Sequence, residues 1–339
     1  MSGDLSPPET PTTLTTRRIA GITGGALLLV TLIVIMLGVL PAGDGKRVEL
    51  VTVPDGASAR AIATLLKQHA LIRSETLFLL RVRVSGAGKR IRSGVYRLDD
   101  SLSPSEILER MVRGDVYVVR FAVPEGYSIG QLAIMLEGKG LVTRKEFLDS
   151  CRDHDLRQEF GIAGETVEGY LAPMTYDITP GTPPIRIIRP MIERFMKEID
   201  PLRDTIRHSP FSLHQIVTLA SMVEKEAVKP EERPLIAAVF LNRLKRGMRL
   251  QSDPTAIYGR KEFGGEVTAA DVRTPSPYNT YLIDGLPPGP IGNPSPEAIR
   301  AVLNPARVPY LYFVARKDGT HHFSRTLDEH NRAVTRWLR

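Results

Sequence analysis

The sequence predicts an α+β protein with a single N-terminal transmembrane helix, a small α/β module and then a larger mixed α/β domain. Three observations carry this. An uncharged run of 22 residues, Ile19 to Leu40, stands near the N-terminus. A strand–turn–helix pattern occurs twice, at an offset of 70 residues. From Ser212 to Tyr258, two helical patterns lead into a polar turn rich in groups that can do chemistry.

Composition sets the class. The chain has 339 residues, 42% hydrophobic and 24% charged, which is enough for two or three domains and excludes wholesale disorder. The net charge of +7 suits an anionic partner: nucleic acid, a phospholipid surface or an anionic cell-wall polymer. No aromatic-interleaved basic motif or zinc spacing occurs, so nucleic acid is not expected. Cys151 is the sole cysteine, so no intrachain disulfide and no cysteine-based metal site can form. No cofactor is expected.

Residues 1–18 are rich in Pro, Thr and Ser and read as a cytoplasmic tail. Residues 19–41 read as the transmembrane helix. At 1.5 Å per residue the run spans roughly 30 Å, the hydrocarbon thickness of a bilayer. Arg17 and Arg18 precede it, which favours a cytoplasmic N-terminus. The run is longer than the apolar core of a cleaved signal peptide. The expectation is a single-pass protein of the bacterial cytoplasmic (inner) membrane, with its mass periplasmic or extracytoplasmic.

The repeat follows. Val51 to Leu79 and Phe121 to Asp149 align without a gap, with Val53/Val123, Pro54/Pro124, Gly56/Gly126, Ser58/Ser128 and Leu66/Leu136 identical. Each copy reads as a strand, a V-P-[DE]-G turn, and a helix capped by Ser58 or Ser128. Ser93 to Leu98 reads as a strand, and Ser103-Pro104-Ser105-Glu106 starts a helix running to about Val112. The first copy with its following strand, residues 46–118, resembles a LysM-like module. That resemblance implies a βααβ fold that binds N-acetylglucosamine-containing glycans; a spacer that packs on the next domain is the alternative.

Residues 119–339 read as one mixed domain. Pro184 to about Glu198 is an amphipathic helix with Ile188, Met191, Ile192 and Phe195 in its stripe. Leu213 to Ala227 is a helix capped by Ser212, with Ile216, Leu219, Ala220, Val223 and Ala227 as its core stripe. Glu224 then projects about 60° from the middle of that stripe, at the margin of the core, where desolvation raises a carboxyl pKa and a general acid can be made. An ordinary glutamate paired with a lysine or arginine is the alternative. Glu226, about 100° from the middle on the opposite flank, reads as structural. A second helix opens at Pro230 and ends near Gly247. Leu250 to Tyr258 packs an amide, a hydroxyl, a carboxylate and a phenol into a short loop, groups that match the hydroxyl and acetamido groups of sugars; a helix-capping turn is the other reading. Tyr310 to Val314 and His321 to Ser324 form a hairpin. His321 and His322 point to opposite faces of their strand and cannot share a metal, so no metal site is expected.

VEKEAV, NRLKRGMRLQSDPTAIYG, SPYNTY, GLPPGPIGNPS and HHFSRTLDEHN, in this order behind a single anchor, resemble the YceG-like (MltG) family of endolytic murein transglycosylases. The resemblance covers about residues 46–339. It implies a LysM-like module followed by a mixed α/β catalytic domain, residues 119–339. It implies a lyase activity, the non-hydrolytic cleavage of the MurNAc–GlcNAc bond within peptidoglycan strands to leave 1,6-anhydroMurNAc ends. It implies Glu224, the first glutamate of VEKE, as the catalytic residue. It also implies Gln251, Ser252 and Asp253, Tyr278, Asn279 and Thr280, and Glu168 and Tyr176 as substrate-binding residues, and peptidoglycan synthases as possible partners. Within the segment from Glu168 to Tyr176, Ala172 stands where the family has Phe and Met174 where it has an acid. A muramidase-type hydrolase pairing Glu224 with Asp253, and a non-catalytic glycan-binding scaffold, remain as alternatives.

Overall fold

The computed structural model describes residues 36, 38–261 and 266–337. The expected transmembrane helix, residues 19–41, lies outside these except at its end; among the described residues no helix is long and apolar enough to cross a membrane. The fold is α+β, and the chain divides into two compact units between Tyr117 and Val118.

In the first unit, β1 (Val48–Val53) pairs antiparallel with β2 (Gly94–Asp99), Val48 facing Asp99 and Val53 facing Gly94. Helices α1 (Ala59–Gln68) and α2 (Glu75–Val84) lie between them in sequence, and α3 (Pro104–Arg113) follows. Local chemistry starts each helix. The Ser58, Ser74 and Ser103 side chains accept from backbone N–H groups of the first turn, and Ser103 and Glu106 form a reciprocal capping box. Val51, Leu66, Phe78, Tyr96, Ile107 and Met111 fill the core.

The second unit opens on the second copy of the repeat. Strand β3 (Val119–Ala122) runs through the Pro124-Glu125-Gly126 turn into α4 (Ile129–Gly138), capped by Ser128. Gly56 and Gly126 both sit at positive φ, 71° and 74°, which explains the glycine in each V-P-[DE]-G turn. Short helices α5 (Arg144–Ser150) and α6 (His154–Glu159) follow, then β4 (Thr175–Ile178), which pairs antiparallel with β3. Next come α7 (Pro184–Ile199), α8 (Arg203–Arg207), α9 (Leu213–Glu226), α10 (Arg233–Lys245), α11 (Asp253–Ile257) and α12 (Pro296–Leu303). The antiparallel hairpin β5 (Tyr312–Ala315) and β6 (His321–Ser324) and then α13 (Leu327–Trp337) complete it.

Helix α9 is the axis of this unit. The expected one-sided stripe is instead a helix buried on every side: Ile216 through Val223 are all buried, including Thr218 and Ser221. The two hydroxyls are tolerated because each is bonded: Thr218 to the His214 carbonyl, and Ser221 to the Thr218 carbonyl and the Ile291 amide. Ala227 is the cap rather than a core position. Helices α10 and α12 pack against α9. Full burial ends at Val223, and Glu224, Lys225 and Glu226 in the last turn are half-buried.

Candidate active site

The last turn of α9 sends Glu224, Lys225 and Glu226 in three directions, about 100° apart. Glu224 enters a ready-made anion site. Its Oε1 accepts from Arg233 Nη2 at 2.7 Å. Its Oε2 accepts from the Ser295 amide at 2.9 Å and from the Ser295 hydroxyl. Arg233 opens α10, Ser295 caps α12, and the Glu224 side chain is only 5% exposed. Arg233 also reaches Glu125 in the turn before α4, at 3.1 Å. One carboxylate thus ties α9 to α10 and α12, and through Arg233 to the repeat turn. Both carboxylate oxygens are engaged, by three donors in all.

Lys225 points toward α4, with its Nζ 3.5 Å from Gln131 Oε1. Burial pulls its ammonium down to about 8, against the pull of Glu168 and Glu224.

Glu226 meets a different environment. It is half-buried as a residue, but burial of its carboxyl pushes it up to about 7. The Ser252 hydroxyl donates to Oε1 at 2.5 Å and Arg243 draws it down, while the charge of Asp253 pushes it further up. Among the described residues no cation pairs with it. A desolvated carboxyl near neutrality with one hydroxyl donor is what general acid–base work requires. A raised carboxyl pKa stands at Glu226, the glutamate that helix geometry read as structural. Sequence periodicity could not separate Glu224 from Glu226, because the groups that distinguish them come from 9 to 71 residues away.

The loop that faces Glu226 is tightly built. Gln251 adopts φ 48°, a left-handed conformation costly for a side-chain-bearing residue. The Gln251 amide donates to the Thr280 carbonyl at 3.1 Å, and the Ser252 amide donates to the Thr280 hydroxyl at 3.0 Å. Arg243 grips the same loop from α10, donating to the Leu250 carbonyl at 2.8 Å and to Gln251 Oε1 at 3.3 Å. Its Nε donates to the Leu311 carbonyl at 2.6 Å. Ser252 precedes α11 but does not cap it with its side chain; the hydroxyl goes to Glu226 instead. Asp253 is exposed and accepts from the Tyr281 hydroxyl at 2.6 Å.

Asn279 and Thr280 are fully buried. The Asn279 amide donates to the Val272 and Thr274 carbonyls and its Oδ1 accepts from the Tyr281 amide. Both hold the loop through these bonds, and neither side chain is exposed.

Glu168, Tyr258 and Tyr278 gather elsewhere, on a cavity of about 530 Å³ that His214, Pro288 and Gly289 also line. Glu168 accepts from the Ile129 amide at 3.1 Å and from the Tyr258 hydroxyl at 2.8 Å. The Tyr258 and Tyr278 rings lie 4.6 Å apart. Tyr176 joins neither group: its hydroxyl donates to the Ala172 carbonyl at 2.8 Å and its ring lies beside Phe121. Met174 is exposed, and its carbonyl accepts from the Val123 amide. Sequence reasoning missed Arg233, Arg243, Ser295 and Tyr281. Arg243 carried a usable signal, since it falls three residues after Phe240 on the inward face of an apolar helix. Among the described residues no group of three or more His, Cys, Asp or Glu is arranged to hold a metal ion. His321 donates its amide to Glu232 at 2.9 Å and its Nδ1 lies 2.7 Å from the same carboxylate, which pins the β5–β6 hairpin to the turn before α10.

The model of the YceG-like family matches residues 51–336. An endolytic murein transglycosylase of Bacillus subtilis (strain 168) is 32% identical over 311 residues, covering 87% of this chain and 86% of that protein. An endolytic murein transglycosylase of Streptococcus pneumoniae serotype 2 is 30% identical over 323 residues, covering 86% of this chain and 58% of that longer protein. The crystal structure of a yceG-like protein from Listeria monocytogenes superposes with a TM-score of 0.59 at 32% identity, over 86% of this chain and 100% of that one.

Proposed function

The chain belongs to the YceG-like family, and on that premise we propose that it is a peptidoglycan lytic transglycosylase held at the cytoplasmic membrane, with Glu226 as its acid and base. The observation that carries the residue assignment is the Glu226 carboxyl held by one donor, the Ser252 hydroxyl, with burial raising its proton affinity. Glu224, the residue that the family resemblance favours, is engaged at both oxygens by Arg233 and Ser295, and a catalytic carboxyl must be free to exchange a proton.

The chemistry needs one carboxyl. Protonated Glu226 gives its proton to the bridging oxygen of the MurNAc–GlcNAc bond, and the C1–O bond breaks. The C6 hydroxyl of the same MurNAc attacks C1 and gives its proton to the Glu226 carboxylate. A 1,6-anhydro ring forms, the departing GlcNAc keeps the first proton, and Glu226 ends as it began. The intramolecular nucleophile gains from proximity and no water is consumed. Ser252 holds the carboxyl, and Asp253 and Gln251, exposed on the same loop, contact the sugar and the developing positive charge. Tyr278 and Glu168 serve a more distant part of the glycan from the cavity that they line. The apolar run 19–40 is the anchor, the first unit is a LysM-like glycan-binding module, and peptidoglycan synthases are the neighbours whose nascent strands the enzyme ends.

Asp253 keeps a hydrolytic reading alive, because a second carboxylate could activate water. Digestion of purified peptidoglycan by wild type, Glu226→Gln and Glu224→Gln, with mass analysis of the products, decides all of this. Anhydro ends from wild type, their loss in Glu226→Gln and their retention in folded Glu224→Gln are expected. Products heavier by one water would sink the lyase mechanism. Loss only in Glu224→Gln would move the catalytic role to Glu224.

A further inference from the structure

The first unit carries a surface that the glycan chemistry leaves unused. Along α2, Leu77, Leu80, Arg81 and Val84 fall within an arc of about 100°. The start of that arc is covered by the chain's own N-terminal segment. Gly38 lies so close to Leu77 that a side chain there would collide with it, and Arg73, just ahead of α2, donates to the Pro41 carbonyl at 2.8 Å. The rest of the arc is bare: Leu80 is 54% exposed and Val84 81%.

Exposed cations flank these two apolar residues along the chain. From Arg81 to Arg97, both included, the chain has six basic residues and no acid. Arg81, Arg83, Lys89 and Arg90 are all exposed, and among the described residues no acidic side chain pairs with them. Paired surface arginines would be an ordinary solvated face. An exposed Leu–Val pair with exposed arginines on the same helix and more cations in the loop after it is the composition of a surface that lies on anionic lipid, apolar groups at the acyl boundary and cations at the phosphates.

We infer that the exposed face of α2 with the following basic loop docks on the anionic phospholipid surface of the membrane, holding the first unit against the bilayer. The inference rests on the reading of residues 19–40 as an anchor. Continuity argues for lipid rather than wall polymer, because the apolar arc begins where the chain emerging from that run touches Leu77. A polyanionic glycan would engage the arginines but would leave Leu80 and Val84 in water.

The test uses the full chain in lipid nanodiscs. Cys151 is fully buried, so an environment-sensitive dye can be coupled to Val84→Cys and, as a control, to Glu109→Cys on the exposed side of α3. With phosphatidylglycerol present and a spin label placed just below the headgroups, the dye at position 84 is expected to be quenched and the dye at 109 not. Arg81→Gln with Arg83→Gln should lower the docked-to-undocked ratio by about fivefold for each arginine neutralised. Equal exposure at positions 84 and 109 in protein that co-elutes with the discs would overturn the docking and leave the anchor standing. Failure to enter the discs would overturn the anchor and the docking with it. A dye response to a soluble polyanion without quenching by lipid would assign the face to polysaccharide and overturn the inference.

Discussion

Two glutamates two positions apart on one helix have opposite fates. Glu224 receives an arginine, an amide and a hydroxyl, and Glu226 receives a serine and a neighbouring aspartate. The pH behaviour of Glu226 follows with its sign. The carboxyl must be protonated to start the reaction, so glycan cleavage should fall as pH rises through about 7, measured as a pH–rate profile. Stability moves in the same sense. The folded carboxyl holds its proton more tightly than the ordinary value of 4.5, so its contribution is full below about 4.5 and is lost as pH rises through about 7. Glu226→Gln should therefore gain stability over wild type at pH 8 but not at pH 4, on the order of 2 kcal/mol in urea titrations. No difference between the two pH values would show that the carboxyl is not desolvated.

At the scale of the element, the loop from Leu250 to Asp253 is the device that makes Glu226 different. Ser252 donates to the carboxyl and so favours its ionised form. Ser252→Ala should move the basic limb of the pH–rate profile upward while lowering the maximal rate; a downward shift would contradict the hydrogen bond. Gln251 is held at φ 48° by the Thr280 carbonyl and by Arg243. Gln251→Gly should relieve backbone strain by about 1 kcal/mol, and Gln251→Val should lose at least that much, both read from thermal unfolding.

At the scale of the whole molecule, the described chain has two separate cores, one drawn from Val51 to Met111 and one from Phe121 to Val302. Each buries a complete set of large side chains, so residues 118–339 expressed alone should unfold cooperatively and keep the Glu226 pH dependence on soluble glycan fragments. A fragment that is molten by near-ultraviolet circular dichroism would show that the second core depends on the first unit. The repeat spans both cores: each copy begins its unit with a strand, a positive-φ glycine and a serine-capped helix.

Much of this was legible in the chain by itself. Caps, turns, helix periods and the hairpin depend on neighbours a few residues away, and so Ser58, Ser128, Ser212, Gly56 and Gly126 announced their elements directly. The motifs from VEKEAV to HHFSRTLDEHN carried the family in the same way. The assignment of roles within those motifs was not local. Ser295 lies 71 residues from Glu224 and Ser252 lies 26 from Glu226. Asn279, a polar residue of a type that suits a sugar, has its amide occupied by backbone carbonyls. A carboxyl's proton affinity is set by the few ångströms around it, and a helical period gives only the direction in which the carboxyl leaves the helix. Only the tertiary structure decided what each one meets there.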